Sequence, residues 1–290
     1  MQTANSIKKS AAIFQSQKHP FHILGPSPLP FLTGFFVLAW LIPQVFSRHG
    51  YETSVPLTDV RHIAVLGLFT TIRSWFFEIL FESSKGYHTK RVQAGLRLGR
   101  LLFIASEIRF FFAFFWAFFH FSLVPPITIG AVWPPRGTQR LSPWGLPLVN
   151  TMLLLTSGVT ITIAHAYIVK GRNDAFAWFL FLTVVLGSVF LFCQAYEYKY
   201  GVTFSWRDNV YGSIFFITTG FHGFHVSIGT LFLLFCWLRQ ILTTLTSSKA
   251  LGFAPAHHFG FEAAAWYWHF VDVVWLFLFI TIYWWGGSQC

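Results

Sequence analysis

The sequence predicts an all-α integral membrane protein of seven transmembrane helices, and three observations predict it. Hydrophobic residues make up 54% of the chain and charged residues only 10%, whereas soluble globular proteins carry about 25% charged residues. Polar groups therefore cannot cover a water-facing surface on a chain of 290 residues. Apolar runs of about 20 residues, the length that crosses a hydrocarbon core of about 30 Å, recur from end to end. The 37 Phe, 13 Trp and 9 Tyr suit a lipid-facing surface with aromatic belts at its interfaces.

Taken in order, the predicted helices lie near residues 30–46, 63–82, 98–124, 147–169, 175–196, 210–238 and 258–286. The first follows Pro26, Pro28 and Pro30 and contains Pro43; the second is interrupted by Arg73 and Glu78. The stretch from Pro125-Pro126 to Pro147, with Trp133-Pro134-Pro135-Arg136-Gly137 inside it, reads as a rigid loop. Repeats, low-complexity tracts and a soluble domain are not seen, so residues 19–290 are expected to form a single membrane domain behind a basic tail, residues 1–18. That tail carries Lys8, Lys9 and Lys18 without an acidic residue; it lacks the Arg richness of an organelle-targeting signal, and no secretory apolar core is present.

The net charge of +10 raises the question of nucleic acid, but Lys and Arg are dispersed between apolar runs instead of forming one basic face. About twice as many fall on the side of the N-terminal tail as on the other, which predicts an N-terminus on the matrix or cytoplasm-like side. Cys193 and Cys236 sit in apolar runs and Cys290 ends the chain; with no CxxC spacing they predict neither a disulfide framework nor a metal site.

Ionisable residues inside a bilayer are costly unless paired or wet, which makes each a candidate site. Glu107 stands about 14 Å into its helix, beyond easy reach of the interface, and is expected to pair with Arg73 or Arg109. Glu262, Trp266, His269 and Asp272 share one face of the last helix, a polar stripe expected to make structural interhelical hydrogen bonds. His222 and His225, at i and i+3, have a spacing that can bring two imidazoles to one metal. Without further ligands nearby they are expected to pack against backbone brought close by Gly220 and Gly223, and no metal is expected. Catalytic residues are not identified: no nucleophile–base pair, phosphate loop or cysteine cluster stands out. Two alternatives remain open, a proton-conducting transporter using Glu107, Glu262, His269 and Asp272, and a redox subunit using His222 and His225.

The run Ser106-Glu107-Ile108-Arg109-Phe110 through Phe119-His120, the segment Thr219-Gly220-Phe221-His222-Gly223-Phe224-His225, and His257-His258-Phe259-Gly260-Phe261-Glu262 through Trp275 to Gly286 together resemble subunit III of cytochrome c oxidase. His22 with Pro26-Ser27-Pro28, Trp133-Pro134-Pro135 and Tyr211-Gly212-Ser213 extend the resemblance from about residue 19 to the end. It implies a two-helix plus five-helix bundle with a lipid-holding cleft, packed against the catalytic subunit I and other subunits of the complex in the mitochondrial inner membrane, less readily in a bacterial plasma membrane. It further implies no haem and no copper on this chain, those belonging to partner subunits, and a role in stabilising subunit I and supporting proton uptake. By resemblance Glu107 is the intramembrane carboxylate, and Trp75, Glu82, His88 and Arg239 are positions that contact phospholipid. The chain departs from the family at Phe77 and Phe81, where Arg is usual, and at Arg109, where an apolar residue is usual. Arg73 is also unusual, residues 1–18 extend beyond the usual start, and residues 249–256 lengthen a connection.

Overall fold

The computed structural model describes residues 19–51, 56–139, 141–246, 252–255 and 258–288. The expected tail 1–18, half of the lengthened connection (249–251 and 256) and Cys290 lie outside them. Among the described residues, seven helices are long and apolar enough to cross a membrane. They are α1 (Leu29–Arg48), α2 (Leu57–Ser84), α3 (Lys90–Leu123), α4 (Leu146–Val169), α5 (Asn173–Tyr196), α6 (Val210–Thr246) and α7 (Phe259–Leu278).

Three of these run beyond the apolar windows of the sequence. α2 begins at Leu57, α3 at Lys90, and α6 continues to Thr246. The extra turns carry Asp59, Arg61, Lys90, Arg91, Arg97, Arg239 and Gln240. A helix keeps its hydrogen bonds as it leaves the bilayer, whereas hydropathy marks only the part in lipid. α5 runs on into a π-helical turn, Glu197–Gly201, and α7 into another, Phe279–Trp285; these wider turns have no periodicity signal of their own.

The chain divides into two compact units, Met1–Leu96 and Arg97–Cys290. In the first, α1 packs along α2. Gly67 of α2 faces the ring of Phe36 so closely that any Cβ would collide with it. Thr71 is buried there and returns its hydroxyl to the Gly67 carbonyl at 2.9 Å.

In the second unit α7 is the centre. Of its most apolar window 56% is buried, against 11% for α3, so α7 meets protein on most sides. Lipid tails are as apolar as leucine, so helices in a bilayer associate through close packing and interhelical hydrogen bonds. Both devices converge on Trp268. Its indole lies where a Cβ on Gly187 of α5 would be 2.6 Å from Cη2 and one on Gly229 of α6 would be 2.9 Å from Cε3. The Trp268 N–H donates to Ser157 Oγ of α4 at 2.9 Å, and two turns on Trp275 donates to Thr151 Oγ1 at 3.0 Å. Thr160 and Thr183 join α4 to α5 at 2.8 Å. The close approach expected at Gly220 and Gly223 is not formed: Gly223 has open space and Gly220 only the Tyr198 hydroxyl at 3.9 Å. Two other glycines, Gly187 and Gly229, take that role because the bulky indole lies opposite them.

Candidate functional site

Within α3, Ile104, Glu107, Phe111, Phe114 and Phe118 recur at helical spacing and are buried or half-buried, which turns Glu107 toward α6. Its Oε2 lies 2.9 Å from Nε2 of His225. Arg109 is not the partner, because residues two apart on a helix point to opposite sides. Arg73 belongs to the first unit, where its guanidinium lies over the Phe77 ring at 5.2 Å.

The tautomer follows from the other ring nitrogen. Nδ1 of His225 is 2.6 Å from the Phe221 carbonyl, which can only accept, so Nδ1 carries a proton. One further proton is then shared between Nε2 and the carboxyl group. Imidazolium with carboxylate and imidazole with carboxylic acid are both net neutral. That neutrality is how a carboxyl is tolerated at this depth. Phe110, Phe111 and Tyr267 lie around the imidazole, at centroid distances of 6.1, 5.0 and 6.3 Å.

His222 does not converge on His225. Its Nε2 donates to the Val271 carbonyl at 3.1 Å, and its ring packs against Trp275 and Phe190. The i, i+3 pair is thus directed to two different neighbours, one on α7 and one on α3.

Along the stripe of α7 the expected interhelical hydrogen bonds form at Glu262 and His269 but, among the described residues, not at Asp272. Glu262 Oε2 accepts from Arg97 Nε at 3.1 Å and lies 3.6 Å from Arg100 Nη1, and Arg100 lies over the Trp266 ring at 4.9 Å. His269 Nε2 is 3.4 Å from Thr162 Oγ1. Asp272 presses its Oδ2 toward Gly158 of α4, where a Cβ would be 2.9 Å away, and its Oδ1 is buried without a hydrogen-bond partner among the described residues.

Two groupings were not legible in the sequence. His165, His258 and Glu262 each bring a donor atom within 4.8 Å of the others, a geometry able to receive a divalent cation if Glu262 is shared with Arg97 and Arg100. His258 and Glu262 stand one helical turn apart, a usable signal, but His165 comes from α4 and no spacing links it to them. The second is Glu197, 1% exposed, which accepts from Tyr283 at 2.7 Å and Gln194 at 3.1 Å. The sequence places it just past a helix end; the π-helical turn carries it back inside.

In the first unit His22 Nε2 lies 3.6 Å from Glu82, and its ring stacks on Tyr87 at 4.5 Å. The backbone carbonyl of neighbouring His88 accepts from Gln93 at 2.9 Å. Trp75 stands two turns up α2 with 38% of its surface exposed. Lys85 lies over Phe81 at 5.1 Å, so Phe77 and Phe81 each sit one turn from a cation, Arg73 and Lys85 respectively. In the second unit Arg239 lies over Phe253 at 4.2 Å. Phe253, the described centre of the lengthened connection, is itself buried against Phe176 and Phe261.

A family model described as cytochrome c oxidase subunit III matches residues 19–287. Similar proteins named cytochrome c oxidase subunit 3 include those of Triticum aestivum and Arabidopsis thaliana, each 49% identical over 95% of this chain and 100% of its own length. That of Chondrus crispus is 47% identical over 99% of this chain and 100% of its own.

Proposed function

The chain belongs to the cytochrome c oxidase subunit III family, and on that premise we propose that it is an accessory, non-catalytic core subunit of the oxidase. Its role is to hold the catalytic subunit I in a stable form, to bind structural phospholipids and to support proton uptake while electrons pass from cytochrome c to oxygen. The observation that carries this reading is the match to whole relatives along nearly the full chain. The i, i+3 imidazoles His222 and His225 fit it, since they are hydrogen-bonded separately, one to Val271 and the other to Phe221 and Glu107.

Phospholipid head groups are assigned to Trp75, Glu82 and His88 in the first unit and to Arg239 in the second, where a cation near the end of a long helix meets phosphate level. Haem a and copper belong to partner subunits. The membrane is the mitochondrial inner membrane, with the N-terminus in the matrix by the distribution of Lys and Arg. Stripping this chain from the purified complex tests the reading. The haem and copper spectra are expected to persist while thermal stability and proton-uptake rate fall; disappearance of haem absorbance together with this chain would overturn it.

A further inference from the structure

The face of α3 opposite Glu107 carries an unusual group. Arg109 is exposed, and its guanidinium has neither a hydrogen bond nor an ion pair among the described residues of the second unit. Its neighbours at helical spacing, Ala105, Ser106, Phe112, Ala113 and Trp116, are exposed too, so the stripe is outward along several turns.

Depth makes the arginine informative. Arg100, the last cation before the apolar run, is about 14 Å from Arg109 along the axis, and Leu123 at the far end is about 21 Å away at 1.5 Å per residue. Arg109 therefore stands well inside a hydrocarbon core of about 30 Å. Long side chains near helix ends reach the interface by extending along the helix, but here the distance to phosphate on either side exceeds an arginine side chain. An unpaired guanidinium at such depth is costly, and arginines there pair with protein groups.

We propose that Arg109 is the docking point for a transmembrane helix of another subunit that carries an Asp or Glu at mid-membrane depth. The partner segment is a helix because unpaired backbone is not tolerated against lipid. The anion is a carboxylate because the planar guanidinium takes one in a bidentate fork. Ala105, Ser106 and Ala113 flank the cation with small side chains, which lets a second backbone come close enough for the ion pair to form. Phe112 and Trp116, with rings 6.2 Å apart, supply the apolar surface that seals it.

This inference rests on the proposed assembly, and the test separates the two. The complex is purified in mild detergent from cells expressing the native chain, Arg109→Leu or Arg109→Lys, subunit composition is measured relative to haem, and the structure of the native complex is determined. The native complex is expected to show an Asp or Glu of another chain at the guanidinium. Arg109→Leu is expected to lose that one subunit about tenfold while Arg109→Lys keeps it, a loss equivalent to about 1.4 kcal/mol. Unchanged composition in Arg109→Leu, or a lipid phosphate or a carboxylate of this same chain at the guanidinium, overturns the inference while leaving the assembly reading intact. A native chain that brings down no haem overturns both.

Discussion

Replacing His225 with leucine removes the proton partner of Glu107 while keeping nearly the same bulk in an aromatic wall. The carboxyl then keeps no hydrogen bond to the described residues of the second unit. An orphaned buried polar group costs about 1–3 kcal/mol. With 21% of the Glu107 side chain still accessible, the lower half of that range is expected. Glu107→Leu orphans only Nε2 of the imidazole, since Nδ1 keeps its bond to Phe221 at 2.6 Å, and is expected to cost less, about 1 kcal/mol. The double variant removes both polar ends, and exchanging both partners for apolar groups of similar shape is nearly neutral. Interhelical hydrogen bonds in membranes contribute about 0.6 kcal/mol on average, so the double variant is expected to be more stable than His225→Leu alone. Thermal unfolding of the purified complex, scored as a double-mutant cycle, measures the coupling. A double variant whose loss equals the sum of the singles would refute the shared-proton pair.

Gly187→Val places a branched side chain where Trp268 Cη2 would be 2.6 Å and Thr230 Oγ1 2.9 Å from Cβ; overpacking of about 1–3 kcal/mol is expected in the same melt. Trp268→Phe deletes the donor to Ser157, and about 0.6–1.7 kcal/mol of destabilisation is expected beyond that of the smaller ring alone. Arg97→Gln, in a pair whose arginine is 47% exposed, is expected to shift stability by no more than about 1 kcal/mol. Glu262→Gln, which also abandons the Arg100 side chain, only 10% exposed, is expected to cost about 1.5–3 kcal/mol. Equal effects of those two substitutions would contradict the division between the two arginines.

Much of the architecture was legible because the bilayer imposes a length and a polarity on every crossing segment. The seven helices follow from that ruler, and their misjudged ends fall where α2, α3 and α6 continue into water and hydropathy loses meaning. That Arg109 and Glu107 point to opposite sides follows from helical angle alone, but which of them faces inward does not. What the sequence does not carry is which distant helix supplies a partner. His225 stands far from Glu107 in the chain, as does His165 from Glu262, and His222 and His225 look like one site by spacing yet diverge by hydrogen bonding. The glycines tell the same story: Gly223 sits in a suggestive motif with open space beside it, while Gly187 and Gly229, without a motif, enclose Trp268.

The most direct test of the account is to isolate this chain from mild-detergent membranes with whatever accompanies it, record the absorption spectrum and analyse the composition before and after separating the chain. Haem a and copper are expected in the complex alongside a catalytic subunit, and neither on this chain once it is separated. Haem or copper retained by the isolated chain would contradict it and make His222 and His225 the residues to substitute.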